Sequence, residues 1–81
     1  MHYTTSHANL HRFRSSRVVL YVGDHLLPHV HVKLGDGREC ALDIDTLEIR
    51  GRIAAREIRE ELAWVASNRI FLHSEWRRYN P

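Results

Sequence analysis

Histidine is concentrated in one short stretch of this 81-residue chain. Three of the seven histidines lie within the nine residues DHLLPHVHV, residues 24–32, together with an aspartate and a proline. The second half of the stretch alternates histidine and valine with the period of a β-strand, so His29 and His31 are expected on one face of a sheet. Two such imidazoles can bind a metal ion, hold a phosphate or move a proton.

A turn signal after this stretch predicts which residues lie beside the histidines. The sequence Gly-Asp-Gly at residues 35–37 is typical of a β-hairpin. A three-residue loop separates polar from apolar residues on the two faces of the hairpin, whereas a two-residue loop mixes them. The predicted register therefore pairs His29 with Asp43 and Lys33 with Glu39.

The segment RVVLYV, residues 17–22, predicts the central strand because it is β-branched, aromatic and apolar on both faces. It is expected to lie beside the first hairpin strand, with the pairs Val18–Leu34, Leu20–Val32 and Val22–Val30. This arrangement places Tyr21 next to His31 on the polar face of the sheet. A short edge strand is expected to begin at Leu10.

The C-terminal third of the chain has a helical pattern. Apolar residues recur at helical spacing at Ile58, Leu62, Val65, Leu72 and Trp76. The predicted fold class is α+β, a small antiparallel sheet of three to four strands packed on one face by a C-terminal helix that is kinked or split near Asn68. Residues 1–9 are expected to form a flexible arm, and residues 10–81 a single domain.

The composition excludes several classes of protein. Hydrophobic residues make up 43% and charged residues 27%, which is typical of a globular domain. The sequence contains neither an apolar run of about 18 residues nor a signal-peptide pattern, so a cytoplasmic protein without a membrane partner is expected. The single cysteine, Cys40, excludes an internal disulfide. A homo-oligomer is compatible with these features.

The residues leave several functions open for the polar face. Zinc or another divalent metal could be bound by His29 and His31, with His25 or Asp43 as a third ligand. Alternatively, a histidine oriented by Asp43 could act as an acid or base in cleaving RNA, while Tyr21 or an arginine stabilises developing charge.

Two further interpretations of the polar face involve neither catalysis nor metal binding. The polar face, bordered by Arg17, Lys33 and Arg38, could bind RNA, DNA or a partner protein. In the simplest case, His29 and His31 only hydrogen-bond within the fold and hold the loop before Pro28. The sequence itself does not decide whether the protein is an enzyme.

The histidine-rich stretch also resembles a family signature. Asp24-His25, followed by PHVHV at residues 28–32, is similar to the pattern DH-x-(P)P-H-F-H-V of small bacterial proteins of the domain of unknown function 4160. Residues 10–13 and 43–51 and the two tryptophans extend the likeness, whereas Leu27 and Val30 depart from the pattern. The resemblance implies a bacterial cytoplasmic protein that binds a small cognate partner in a toxin–antitoxin-like pair. It supplies no catalytic residues.

Overall fold

The computed structural model describes residues 7–23 and 27–81. Within them the strands are β1 (His7–Arg12), β2 (Ser16–Tyr21), β3 (His29–Leu34), β4 (Glu39–Asp43) and β5 (Ile49–Arg50). A 3₁₀ turn (Ala55–Glu57) and the helices α1 (Arg59–Ser67) and α2 (Arg69–Tyr79) follow. The strands form one antiparallel sheet in the order β1-β2-β3-β4-β5. The predicted α+β class is confirmed, although the described residues contain five strands instead of three to four.

The two ends of the sheet explain the larger number of strands. β1 begins at His7, three residues before the predicted edge strand, and pairs with β2 along its length. Residues 1–6 of the predicted N-terminal arm lie outside the described part of the chain. At the other end, Ile49 and Arg50 pair with Leu42 and Ala41, so that this short segment forms a fifth strand.

The predicted register of the β3–β4 hairpin is confirmed. His29 pairs with Asp43, and Lys33 pairs with Glu39. The loop is closed by two backbone hydrogen bonds, from Leu34 N to Arg38 O (2.8 Å) and from Gly37 N to Leu34 O (3.0 Å). Gly37 has a φ of 95°, which a residue without a Cβ adopts at little cost.

The predicted register between β2 and β3 is wrong by two residues. Val18 pairs with Val32 rather than Leu34, and Ser16 takes the position opposite Leu34. The cause lies in the turns, because Phe13 N donates to Ser16 O and Gly35 N donates to Ser15 O, at 2.8 Å each. A shift of two residues preserves which side chains share a face, so Tyr21 still lies next to His31.

The helices cover one face of the sheet. Val18, Val30 and Leu42 from the sheet are fully buried in one cluster with Val65 of α1 and Leu72 of α2. The predicted division near Asn68 is observed, since α1 ends at Ser67 and α2 begins at Arg69. The Asn68 side chain donates to Trp64 O (2.7 Å) and so satisfies a carbonyl at the end of α1. No described helix is long and apolar enough to cross a membrane.

A β-bulge changes the direction of the side chains in β1. Asn9 pairs with Val19, whereas His11 pairs with Val18, so Leu10 is an extra residue in this strand. As a result, His11 lies on the helix side, where its ring stacks on Trp64 with centroids 4.9 Å apart. The next residue, Arg12, pairs with Arg17.

Candidate functional site

The sheet face opposite the main core carries most of the candidate residues. Strand alternation places ten charged, aromatic or imidazole side chains on it, and we term them the histidine face: His7, Arg12, Arg17, Tyr21, His29, His31, Lys33, Glu39, Asp43 and Arg50. The structure thus brings together all the predicted catalytic candidates on one surface. It also divides them into two groups with different surroundings.

The first group is centred on the carboxylate of Glu39. Its Oε2 atom accepts a hydrogen bond from the Tyr21 hydroxyl (3.0 Å) and lies 3.0 Å from His31 Nδ1. The rings of Tyr21 and His31 meet edge to face, with centroids 4.5 Å apart. Lys33 Nζ lies 3.8 Å from Glu39 Oε1 and 5.8 Å from the Tyr21 ring centroid. We term Tyr21, His31, Lys33 and Glu39 the Glu39 cluster.

The Glu39 cluster is ordered and still accessible. The side chains of His31 and Glu39 are 21% and 33% exposed. A carboxylate at Nδ1 favours the tautomer in which Nδ1 carries the proton, so the orientation of the imidazole is set. This arrangement can exchange a proton with a bound molecule, or present an aromatic and charged surface to a partner.

The second group stabilises the ends of the strands. His29 is only 5% exposed. Its Nδ1 lies 2.7 Å from the carbonyl oxygen of Leu27, to which it donates, and its ring contacts Trp76 with centroids 5.1 Å apart. Asp43 Oδ1 accepts from the backbone N–H groups of Asp45 and Thr46, at 2.8 Å each. These two N–H groups, that of Thr46 foremost, lower the pKa of Asp43, and burial opposes them in part.

The structure does not assemble the predicted metal ligands among the residues it describes. The rings of His29 and His31 are close, with centroids 5.1 Å apart. However, the described residues contain no group of three or more histidine, cysteine, aspartate or glutamate side chains arranged to hold a metal ion. His25 lies outside the described residues, so its role as a ligand stays a prediction.

Glu39 is absent from the site residues that the sequence predicts. A signal was present, because the predicted Lys33–Glu39 pair already placed Glu39 on the polar face. In that register Glu39 is the diagonal neighbour of His31, within reach of a long side chain. The sequence instead indicates Asp43 as the orienting carboxylate, but Asp43 Oδ1 is occupied by backbone donors.

Two further reactive side chains, those of His73 and Cys40, lie away from the histidine face. His73 Nε2 is 2.7 Å from Asp45 Oδ1 and links α2 to the loop after β4. Cys40 is buried in the core, and burial raises the pKa of its thiol, which disfavours the nucleophilic thiolate.

The fold and this surface define a small α+β domain, an antiparallel meander covered on one face by two helices. The family model for the Domain of unknown function (DUF4160) matches residues 16–77, and the chain belongs to this family. The match includes the Glu39 cluster and both helices except for the last two residues of α2. Comparisons with curated proteins and with solved structures found no match.

Proposed function

We propose that this chain is one component of a bacterial toxin–antitoxin-like pair. It acts in the cytoplasm by binding a small cognate partner protein at the histidine face. Membership in the DUF4160 family supports the first part of the proposal, through the two-protein arrangement that the family resemblance implies. The observation that carries the second part is the Glu39 cluster, whose side chains contact one another while those of His31 and Glu39 remain partly exposed.

The contacts within the Glu39 cluster suit it to protein recognition. Tyrosine is among the residues that contribute most to binding at protein interfaces. The Tyr21 hydroxyl is already held by Glu39, and the Tyr21 ring is held against His31. Ordering these side chains before the partner arrives lowers the entropy that binding must overcome. Lys33 and Glu39 add one charge of each sign at the surface, which favours a partner of complementary pattern.

The proposal is tested with the product of the neighbouring gene. Both proteins are purified separately, and their dissociation constant is measured by calorimetry. Truncating Tyr21 and His31 to alanine together should weaken binding at least about tenfold, since each removes a ring from the centre of the proposed interface. The matched control truncates Phe71 and His73 on α2, again one aromatic residue and one histidine. Melting temperatures of all variants establish that they fold.

Equal affinity of the wild type and the Tyr21/His31 variant would contradict the proposal, as would an equal loss in the control. Growth assays then assign the roles within the pair. The toxin component arrests growth when expressed alone, and its partner restores growth. RNA cleavage remains an alternative prediction for the same surface. Cleavage that is lost in His31→Ala, with an unchanged melting temperature, would favour that alternative.

A further inference from the structure

Three cations stand directly opposite one another across the first three strands. Arg12 of β1 pairs with Arg17 of β2, and Arg17 pairs with Lys33 of β3. Because directly paired residues of an antiparallel sheet point to the same face, the three side chains form one line across the histidine face. We term Arg12, Arg17 and Lys33 the cation row.

The bulge at Leu10 is what completes the cation row. With regular pairing, the residue opposite Arg17 would be His11. The extra residue instead directs His11 to the helix side and Arg12 to the same face as Arg17. Bulges of this kind commonly redirect a side chain near functional sites.

Positive charge in the row is only weakly compensated. Among the described residues, neither Arg12 nor Arg17 forms an ion pair, and Lys33 Nζ is 3.8 Å from Glu39. The row borders an open cavity of about 460 Å³. Two further arginines, Arg14 and Arg38, line it, and no carboxylate is among its lining residues. The Arg38 guanidinium forms ion pairs with Asp36 and Glu57, at 2.9 Å each, and neither of these carboxylates lines the cavity.

Such a row opposes folding in the absence of a ligand. Like charges directly opposite one another destabilise a pair of strands. The whole chain has a formal net charge of only +2, so the row is a local concentration of charge rather than a consequence of a basic composition. An anion lying along the row would remove this repulsion.

The shape of the site indicates what kind of anion it fits. Neighbouring strands are about 4.8 Å apart, so the three cations extend over about 10 Å, which suits a chain of phosphates better than a single one. The row ends at Lys33, whose Nζ lies 5.8 Å from the Tyr21 ring centroid. Proteins that bind single-stranded nucleic acids commonly combine a row of basic side chains with an aromatic ring. The phosphate backbone of the nucleic acid lies along the positive charges, and a base stacks on the ring.

We propose that the cation row binds the phosphodiester backbone of a single-stranded nucleic acid, with Tyr21 as the stacking platform for a base. This site shares Tyr21 and Lys33 with the partner-binding surface proposed above, but nucleic-acid binding does not depend on the partner protein. RNA and DNA share the backbone chemistry that the row recognises.

The test measures binding of a fluorescein-labelled single strand of about 10 nucleotides, as RNA and as DNA, by fluorescence anisotropy. Three phosphate contacts predict that the logarithm of the association constant falls with the logarithm of salt concentration with a slope of about −2. Replacing Arg12 and Arg17 by alanine should weaken binding at least about tenfold and reduce the slope by about 1.4. Tyr21→Ala should weaken binding while leaving the slope unchanged.

The matched control replaces Arg52 and Arg77, which are exposed and away from the cation row, so that net charge falls equally. Arg17→Gln provides a second variant that retains most of the side-chain length. Because it relieves repulsion, it should melt no lower than the wild type. The proposal is overturned if the wild type binds neither strand or if row and control variants bind alike. It is also overturned if a polyglutamate peptide of equal charge binds as tightly as RNA, which would indicate an acidic protein ligand.

Discussion

At the scale of single residues, His29 and His31 show how two adjacent positions on one strand face acquire different roles. His29 is 5% exposed and is held by the Leu27 carbonyl and the Trp76 ring. His31 faces a carboxylate that also accepts from the Tyr21 hydroxyl. The environment, rather than the residue type, therefore separates a structural histidine from a candidate functional one.

The pH dependence of stability provides a test of the structural role of Asp43. Its folded-state pKa lies below the ordinary value of 3.8, since the charged form accepts two backbone hydrogen bonds. The corresponding stability is fully present above the ordinary value and is lost as pH falls through the lowered pKa. Urea unfolding at about pH 7 and about pH 3 should therefore show a larger loss in the wild type than in Asp43→Asn.

Glu60→Gln serves as the control for this measurement because Glu60 is exposed and its substitution also removes one carboxylate. This variant should lose as much stability as the wild type over the same pH range. An equal loss in Asp43→Asn and the wild type would show that Asp43 does not stabilise the turn through its charge.

At the scale of secondary-structure elements, the glycine between β5 and the 3₁₀ turn permits a close approach of two chain segments. Gly51 has a φ of 143°, and a Cβ added there would lie 2.9 Å from the Cβ of Cys40. The backbone after β5 therefore packs directly on β4. This contact brings the chain from the edge of the sheet towards the helices, which contribute Val65 and Leu72 to the core cluster.

Alanine substitutions at two glycines separate steric contact from backbone strain. Gly51 and Gly37 both have positive φ, but a Cβ at Gly37 would meet no atom within 4 Å. Gly37→Ala should cost about 1 kcal/mol, from strain alone, whereas Gly51→Ala should cost about 2–3 kcal/mol. Denaturant unfolding measures both values. Equal losses of unfolding free energy in the two variants would show that Cys40 and its neighbours move away from the added Cβ at no energetic cost.

At the scale of the whole molecule, the chain is a two-layer structure. One face of its sheet packs on the helices, and the other is buried around His29 and partly exposed at the Glu39 cluster. The helix layer shields the core cluster from solvent. A domain of this size has a small free energy of unfolding, so its stability depends on this contact between the layers. The histidine face carries the Glu39 cluster and, at the end nearer the two hairpin turns, the cation row, and the two sets share Lys33. The proposed partner protein and the proposed nucleic acid would contact overlapping parts of this surface, because Tyr21 and Lys33 belong to both sites.

Two neighbouring positions of α2 test this layered arrangement. Leu72 is fully buried, whereas Ile70 is 90% exposed. Leu72→Ala should lower the free energy of unfolding by about 2–5 kcal/mol because it leaves a cavity between the layers. Ile70→Ala should change it by less than about 0.5 kcal/mol. Denaturant unfolding of the two variants measures the difference. Similar losses of unfolding free energy would show that α2 does not pack on the sheet through Leu72.

The sequence by itself determined the features that depend on local periodicity and turn chemistry. Alternation of polar and apolar residues assigned the faces of β3 and β4, and the glycines of residues 35–37 determined their register. Asn68 marked the division between the helices. Only the tertiary structure decided the β2–β3 register, the bulge at Leu10 and the pairing of His31 with Glu39. These features depend on contacts between separate turns and on diagonal reach across strands, which no local pattern in the chain encodes.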